Sequence, residues 1–347
     1  MDDLLLRDFE RRLDEIESYW DHLAASARLR QEVCSITGLP DSVLESLRDD
    51  RLTPGLRKVF DYSSIVVALY GSIEEYVERL AEHCIEVLDR SVKRYSLLPL
   101  ALRKQHERLS IRLADQIAQS NYRGYLSLQS VTENLSGCLA DRQSFRMNAE
   151  VFALHGANIR LDIVREMFSR ISIDHIDHAI ESHHLVKELM TVLGRANSEI
   201  SFYLDDLAAR RNVVAHGERP QDVISLAMMP EYFRAIRAFG VALFESALVG
   251  MLALVRPAEL VDMGKPTAVY KAGRVACFES EIPISLKIGD RLLWKGGQDN
   301  WKTARVESLQ INKSEHQRIV CEVGVRFGVG MRTRAGKDSK YWLVERW

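Results

Sequence analysis

The spacing of apolar residues changes once along the 347-residue chain, and that change limits what it can fold into. Leu6, Phe9, Leu13, Ile16, Trp20 and Leu23 recur at three and four, the period of an amphipathic helix, which predicts a helix over roughly 3–27. YSSIVVALYGSIEEYVERLAEHCIEVL, residues 62–88, is apolar on nearly every side in its first half and predicts a central helix. The same period predicts helices near 99–119, 124–140, 160–170, 174–193, 197–215 and 231–255, punctuated by Pro99, Gly156 and Gly194. Ser42-x-x-Glu45 has the form of a capping box ahead of a further short helix.

Near Pro257 the pattern becomes alternating, in TAVYKAGRVACFE, RLLWKGG, KTARVESLQI, RIVCEVGVRFG and KYWLVERW, with Gly289-Asp290, Gly296-Gly297, Gly328 and Gly330 as breaks. That predicts five or so short strands in a small β-barrel or sandwich. The fold class expected is mainly α: an all-helical domain at 1–256, a linker at 257–266 and a small β module at 265–347.

At 46% hydrophobic and 28% charged the composition is that of a globular protein, which excludes disordered and fibrous classes. The five cysteines are scattered and form no C-x-x-C, so a disulfide framework and a cysteine zinc site are both unexpected, and a reducing cytoplasm fits best. The acidic, amphipathic start fits neither a secretory signal nor a transit peptide. The run Ala238–Val255 approaches membrane-span length, but Glu245 and Ser246 sit at its centre. It reads as the last core helix or as a subunit interface, and no membrane attachment is expected. The net charge of −2 hides an asymmetry: residues 265–347 carry 16 Lys and Arg against 9 Asp and Glu, a balance of +7, and the preceding 264 carry −9. A basic piece on an acidic body suggests an anionic partner for the smaller piece.

Chemistry concentrates in LDDLAARRNVVAHGERP, residues 204–220. Ile200, Leu204, Leu207 and Ala208 mark the apolar side of a helix, and Arg211, four residues after Leu207, falls near its buried edge. Gly217 is a natural stop, which sets His216 at the helix C-terminus, where the dipole favours imidazolium. An imidazole beside a guanidinium suits phosphodiester cleavage: one moves a proton, the other holds phosphate oxygens as charge builds. Asn212 can orient either. Surface capping and ion pairing would use the same residues.

The string Arg211-Asn212-Val213-Val214-Ala215-His216-Gly217 resembles the RNxxAHG signature of the HEPN superfamily of helical ribonuclease domains. VALYGSIEEYVERL, with Tyr70, Glu74 and Tyr76, resembles the central helix of its defence-associated branch, and NLSGCL followed by NIRLDIVREMFSRISI resembles the region between. The resemblance covers roughly 1–250. It implies a metal-independent endoribonuclease without cofactor, in which two copies pair and their motifs form one composite site. Arg211 and His216 would be catalytic, Asn212 supporting, and Glu74 the acidic residue of the central helix, with Glu75 the alternative if the register differs and Arg210 a substitute for Arg211. Implied products are a 2′,3′-cyclic phosphate and a 5′-hydroxyl. The resemblance also implies tRNA or mRNA as substrate, a toxin or anti-phage role, and an antitoxin or other defence-system partner protein. Its rival is a HEPN-like dimerisation or binding module without catalysis, whose β module recruits nucleic acid or a partner protein.

DHIDHAIESHH, residues 174–184, offers His175/His178 and Glu181/His184 pairs but no full ligand set on one helix face, so no metal is expected. No G-x-S-x-G, P-loop or dinucleotide fingerprint is present, and GVGMRTRAGK reads as a hairpin tip. If the β module meets RNA, Lys302, Arg305, Arg332, Arg334 and Lys337 are the candidates for phosphates and Trp301 for stacking; core tryptophans and solvated cations are the other reading.

Overall fold

A computed structural model describes residues 3–35, 54–119, 126–217, 224, 228–255, 259–295 and 301–346; the expected capping box at Ser42 lies outside them. Its helices are α1 (Leu4–Ser35), α2 (Pro54–Ser91), α3 (Leu100–Ala118), α4 (Leu128–Leu139), α5 (Glu150–Ala153), α6 (Leu161–Arg170), α7 (Ile176–Ser182), α8 (His184–Leu193), α9 (Ile200–Ala215) and α10 (Met229–Leu254). The chain forms two compact units, one of Asp3–Glu82 with Glu150–Phe244, the other of His83–Ala149 with Glu245–Trp347.

In the first unit the periodic stripe of α1 is the buried one: Leu6, Phe9, Leu13 and Trp20 are all in the core. So are Tyr62, Ile65, Val66, Leu69, Tyr70, Ile73, Tyr76 and Val77 of α2, as its two-sided apolar pattern requires. Helices α2 and α10 meet at Gly240, whose carbonyl accepts a 2.9 Å hydrogen bond from the Tyr76 hydroxyl. The Phe9 ring stacks on Tyr76 at 4.2 Å, and any Cβ at Gly240 would overlap it. The glycine is there to admit that ring. The single helix expected over 174–193 is two, because His183 adopts an extended conformation and its imidazole caps α8 by accepting from the Leu185 N–H. Gly194, at φ +66°, closes α8.

In the second unit α3 carries a fully buried His106. Its Nε2 accepts from the Asn148 N–H at 3.0 Å and its Nδ1 meets the Tyr95 hydroxyl at 3.0 Å; burial pushes it down to about 4, so it stays neutral.

The C-terminal part has strands β1 (Glu259–Gly264), β2 (Ala268–Tyr270), β3 (Val275–Glu279), β4 (Ile284–Lys287), β5 (Arg291–Lys295), β6 (Trp301–Arg305), β7 (Ser308–Ile311), β8 (Ser314–His316), β9 (Arg318–Cys321), β10 (Arg326–Gly330) and β11 (Tyr341–Arg346). They form antiparallel sheets in the orders β1-β11-β5-β6, β2-β3-β10-β7-β8 and β4-β9, not closed into a barrel. Two expectations change here. β1 pairs with β11 and takes up most of the stretch assigned to a linker, and residues 331–340 cross between sheets instead of turning a hairpin. The core between sheets includes Phe278, Leu292, Trp294, Phe327 and Tyr341, with Trp294 stacked on Tyr341 at 5.1 Å.

The apolar helix α10 has the length and composition of a membrane span, yet 61% of its most apolar window is buried inside the protein. Its central Glu245 accepts a 3.0 Å hydrogen bond from Arg291 of β5, which also reaches the Thr303 hydroxyl; the two charged side chains are 12% and 8% exposed. Leu243, Phe244, Ala247 and Leu248 are fully buried, as the core-helix reading expects.

Candidate active site

Helix α9 buries Ile200, Tyr203, Leu204, Leu207 and Ala208, and Arg211 continues that stripe at its half-buried edge. The helix stops where the sequence places the stop. His216 is its C-cap, with its N–H on the Asn212 carbonyl at 3.0 Å, and Gly217 follows at φ +74°. The His216 side chain is exposed at this end.

The Arg211 guanidinium lies over the ring of Tyr70, 5.2 Å from its centroid, and approaches the Asn212 side-chain oxygen at 3.4 Å. Tyr70 is buried on α2. Its hydroxyl donates to Glu74 Oε1 at 3.1 Å and accepts the Ile159 N–H at 2.8 Å. Burial above all, with the Glu74 carboxylate adding to it, pushes this phenol up to about 12, so it holds its proton and stays a donor. Glu74 is thus tied, one turn along α2, to the ring that supports Arg211. Glu75 points elsewhere, to an ion pair with Arg12 of α1 and a 3.6 Å approach from Arg79. Of the two, Glu74 is the one joined to the Tyr70 hydroxyl.

Arg210 is not interchangeable with Arg211. It is held by Asp206 on its own helix and by the Tyr62 hydroxyl at 2.9 Å, and Tyr232 donates to the same Asp206. Burial pulls its pKa down, but the hydrogen bonds to Asp206 and Tyr62 outweigh that and leave it raised. Among the described residues no carboxylate pairs with Arg211.

One residue escaped the sequence reading. His155, between α5 and α6, meets Glu78 Oε1 through Nε2 at 2.9 Å and the Ala157 carbonyl through Nδ1 at 2.5 Å. Both partners are acceptors, so both nitrogens donate only in the imidazolium form. The hydrogen bond to Glu78 first, and Glu74 among the weaker contributors, hold its pKa above the ordinary histidine value. Glu74 and Glu78 are one turn apart, so His155 pins the 154–159 loop to the same face of α2, and the loop delivers the Ile159 N–H to Tyr70. Arg170 of α6 holds the loop's other side through the Leu154 carbonyl at 2.7 Å. No local signal could reveal this, since His155 and Glu78 are 77 residues apart.

The β-module candidates are divided between strand β6 and the crossing segment after β10. On β6, Lys302 is exposed, Arg305 is half-buried, and Trp301 packs edge-on against Trp342 at 5.2 Å with Lys295 over its ring. After β10, Arg332 pairs with Glu307 at 2.6 Å, while Arg334 and Lys337 are exposed. Among the described residues no group of three or more His, Cys, Asp or Glu is arranged to hold a metal; His178 and Glu181 approach only to 3.9 Å.

The chain was compared with known families and proteins. A family model described as RiboL-PSP-HEPN matches residues 38–248, a span that includes Tyr70, Glu74, Arg211 and His216. No curated protein and no solved structure matches. HEPN domains are generally ribonucleases that act on RNA, and many form dimers. With more than half of its length inside the match, the chain belongs to the RiboL-PSP-HEPN family.

Proposed function

We propose that this protein is a metal-independent endoribonuclease that works as a homodimer. The observation that carries the reading is the Glu74–Tyr70–Arg211 cluster, which fixes a half-buried guanidinium five residues before the exposed His216. Arg211, braced on Tyr70, would hold the non-bridging oxygens of a phosphodiester. His216 would take the proton of the 2′-hydroxyl as that oxygen attacks phosphorus and the 5′-oxygen leaves, giving a 2′,3′-cyclic phosphate and a 5′-hydroxyl. Asn212 would orient either group.

The leaving 5′-oxygen needs a proton as well. Pairing the α9 ends of two copies supplies a second imidazole and a second guanidinium, which is the reason for proposing a composite, dimeric site. A tRNA or mRNA substrate, a toxin or anti-phage role in a reducing cytoplasm, and a partner protein that covers the α9 end complete the proposal.

The test is incubation of the purified protein with total tRNA and a labelled RNA in EDTA, beside His216→Ala. Cleavage that survives the chelator, leaves cyclic phosphate ends and vanishes in the variant supports the reading. Full activity in His216→Ala refutes it.

A further inference from the structure

We propose that the outer face of the sheet β2-β3-β10-β7-β8 is a groove that holds a short run of single-stranded RNA. The proposal takes from the ribonuclease reading only the identity of the polymer. Strand alternation creates the groove. Ala276, Phe278, Phe327, Val329 and Leu309 point into the core, so Cys277, Gly328, Gly330, Ser308 and Gln310 share the opposite face. Register sets Cys277, Gly328 and Gln310 in one row and Val275, Gly330 and Ser308 in the next. The low middle of these rows leaves an open groove of 670 Å³.

The rim is aromatic and cationic. Tyr270 is 59% exposed at one corner, with Lys271 in the turn that follows it. Arg334 is set against that turn, since the neighbouring Ala335 N–H binds the Gly273 carbonyl at 2.7 Å. Lys313, in the β7–β8 turn, and Arg326, paired with Glu279 at 2.8 Å, line the diagonally opposite end. From β2 to β8 the groove crosses four strand spacings, about 19 Å, the scale of a few nucleotides. Two carboxylates, Glu315 in the lining and Glu279 on Arg326, stand against the three cations Lys271, Lys313 and Arg326.

Three properties select the occupant. Cations at both ends match a phosphate backbone, and an exposed tyrosine gives a base a surface to stack on. The groove lies on the face of the sheet, where every central strand is already paired on both sides, so an extended peptide would find no backbone partners there. A duplex keeps its base faces stacked within the helix and offers none to Tyr270.

The test uses the full chain carrying His216→Ala, so that binding is read without cleavage. A labelled single-stranded 12-mer and a hairpin of equal length are titrated by fluorescence anisotropy at two salt concentrations. Gly328→Val fills the floor, because a Cβ there makes only ordinary contacts, the nearest being Cys277 Sγ at 3.7 Å. Lys271→Glu with Lys313→Glu, on exposed turns, removes the charge and does not depend on repacking. The expected result is at least tenfold weaker single-strand binding in each, a shallower salt dependence in the lysine variant, and weaker binding of the hairpin by the parent. Affinity within twofold of the parent in both variants, or equal binding of the hairpin, overturns the proposal and leaves the groove to a protein partner. The two readings fail separately. Cleavage by the His216 protein with groove-independent binding removes the groove alone, and groove-dependent binding without cleavage removes the nuclease alone.

Discussion

At the scale of residues, a buried phenol joins the parts of the candidate site: Tyr70 contacts Glu74, the Ile159 N–H and Arg211. Tyr70→Phe keeps the ring beneath Arg211 but strips Glu74 of its donor and leaves the buried Ile159 N–H unpaired. A buried donor without a partner costs about 1–3 kcal/mol, so Tyr70→Phe is expected to lower stability by that amount in urea unfolding and to reduce RNA cleavage. Glu75→Gln, which weakens partly exposed pairs with Arg12 and Arg79, is expected to change stability by less than about 1 kcal/mol and leave cleavage intact. Equal losses in the two variants would remove Tyr70 and Glu74 from the site. His155 adds a pH dependence with a definite sign. Its folded pKa is raised, so its contribution is complete below the unfolded histidine value and fades as pH climbs through the folded value. Unfolding midpoints should therefore fall between pH 6 and pH 8.5 in the parent, and fall less in His155→Gln. Identical pH slopes would show that the imidazole does not hold the loop.

At the scale of elements, α10 shows how a helix that reads like a membrane span can be a core element. Its one central charge is met by Arg291 from a strand 46 residues later. Removing one partner of such a pair strands the other in a dry environment, at about 3–5 kcal/mol. Glu245→Leu is expected to show that loss, and Glu245→Leu with Arg291→Met to recover most of it, read from thermal unfolding. Additive losses would mean the two charges act independently. Gly240→Ala drives a methyl group into the Phe9 ring and should cost about 1–3 kcal/mol, with Phe9→Leu relieving it. Period gave the helices away where the apolar stripe was long, as in α1, α2 and α9. It failed at His183, because the spacing runs on unbroken through a residue that the backbone turns into a cap. Strands of three to six residues were undercounted, since an alternating run does not say where a strand leaves one sheet for another. In the site, Arg211 was readable from its distance to Leu207. Glu74 and Glu75 were not separable, as both border the same apolar stripe and only Arg12, from another helix, claims one of them.

At the scale of the whole molecule, the unanswered demand of the site is a second proton carrier. One copy presents one exposed imidazole at the end of α9, while His155, held on the Glu78 face of α2, has both nitrogens committed to Glu78 and Ala157. A phosphodiester needs a base for the attacking oxygen and an acid for the leaving one. If two copies pair their α9 ends, every active assembly uses both His216 side chains, and mixing distinguishes this from two independent sites. After subunit exchange at fixed total concentration, cleavage by parent protein blended with His216→Ala should follow the square of the parent fraction. At an equal mixture that is about one quarter of full activity, since only one dimer in four carries two intact histidines. Dilution below the dimer dissociation constant should abolish cleavage faster than it lowers protein concentration. A linear dependence on parent fraction would make each copy a complete enzyme, and would send the search for the acid back to residues of the same chain, with His155 first.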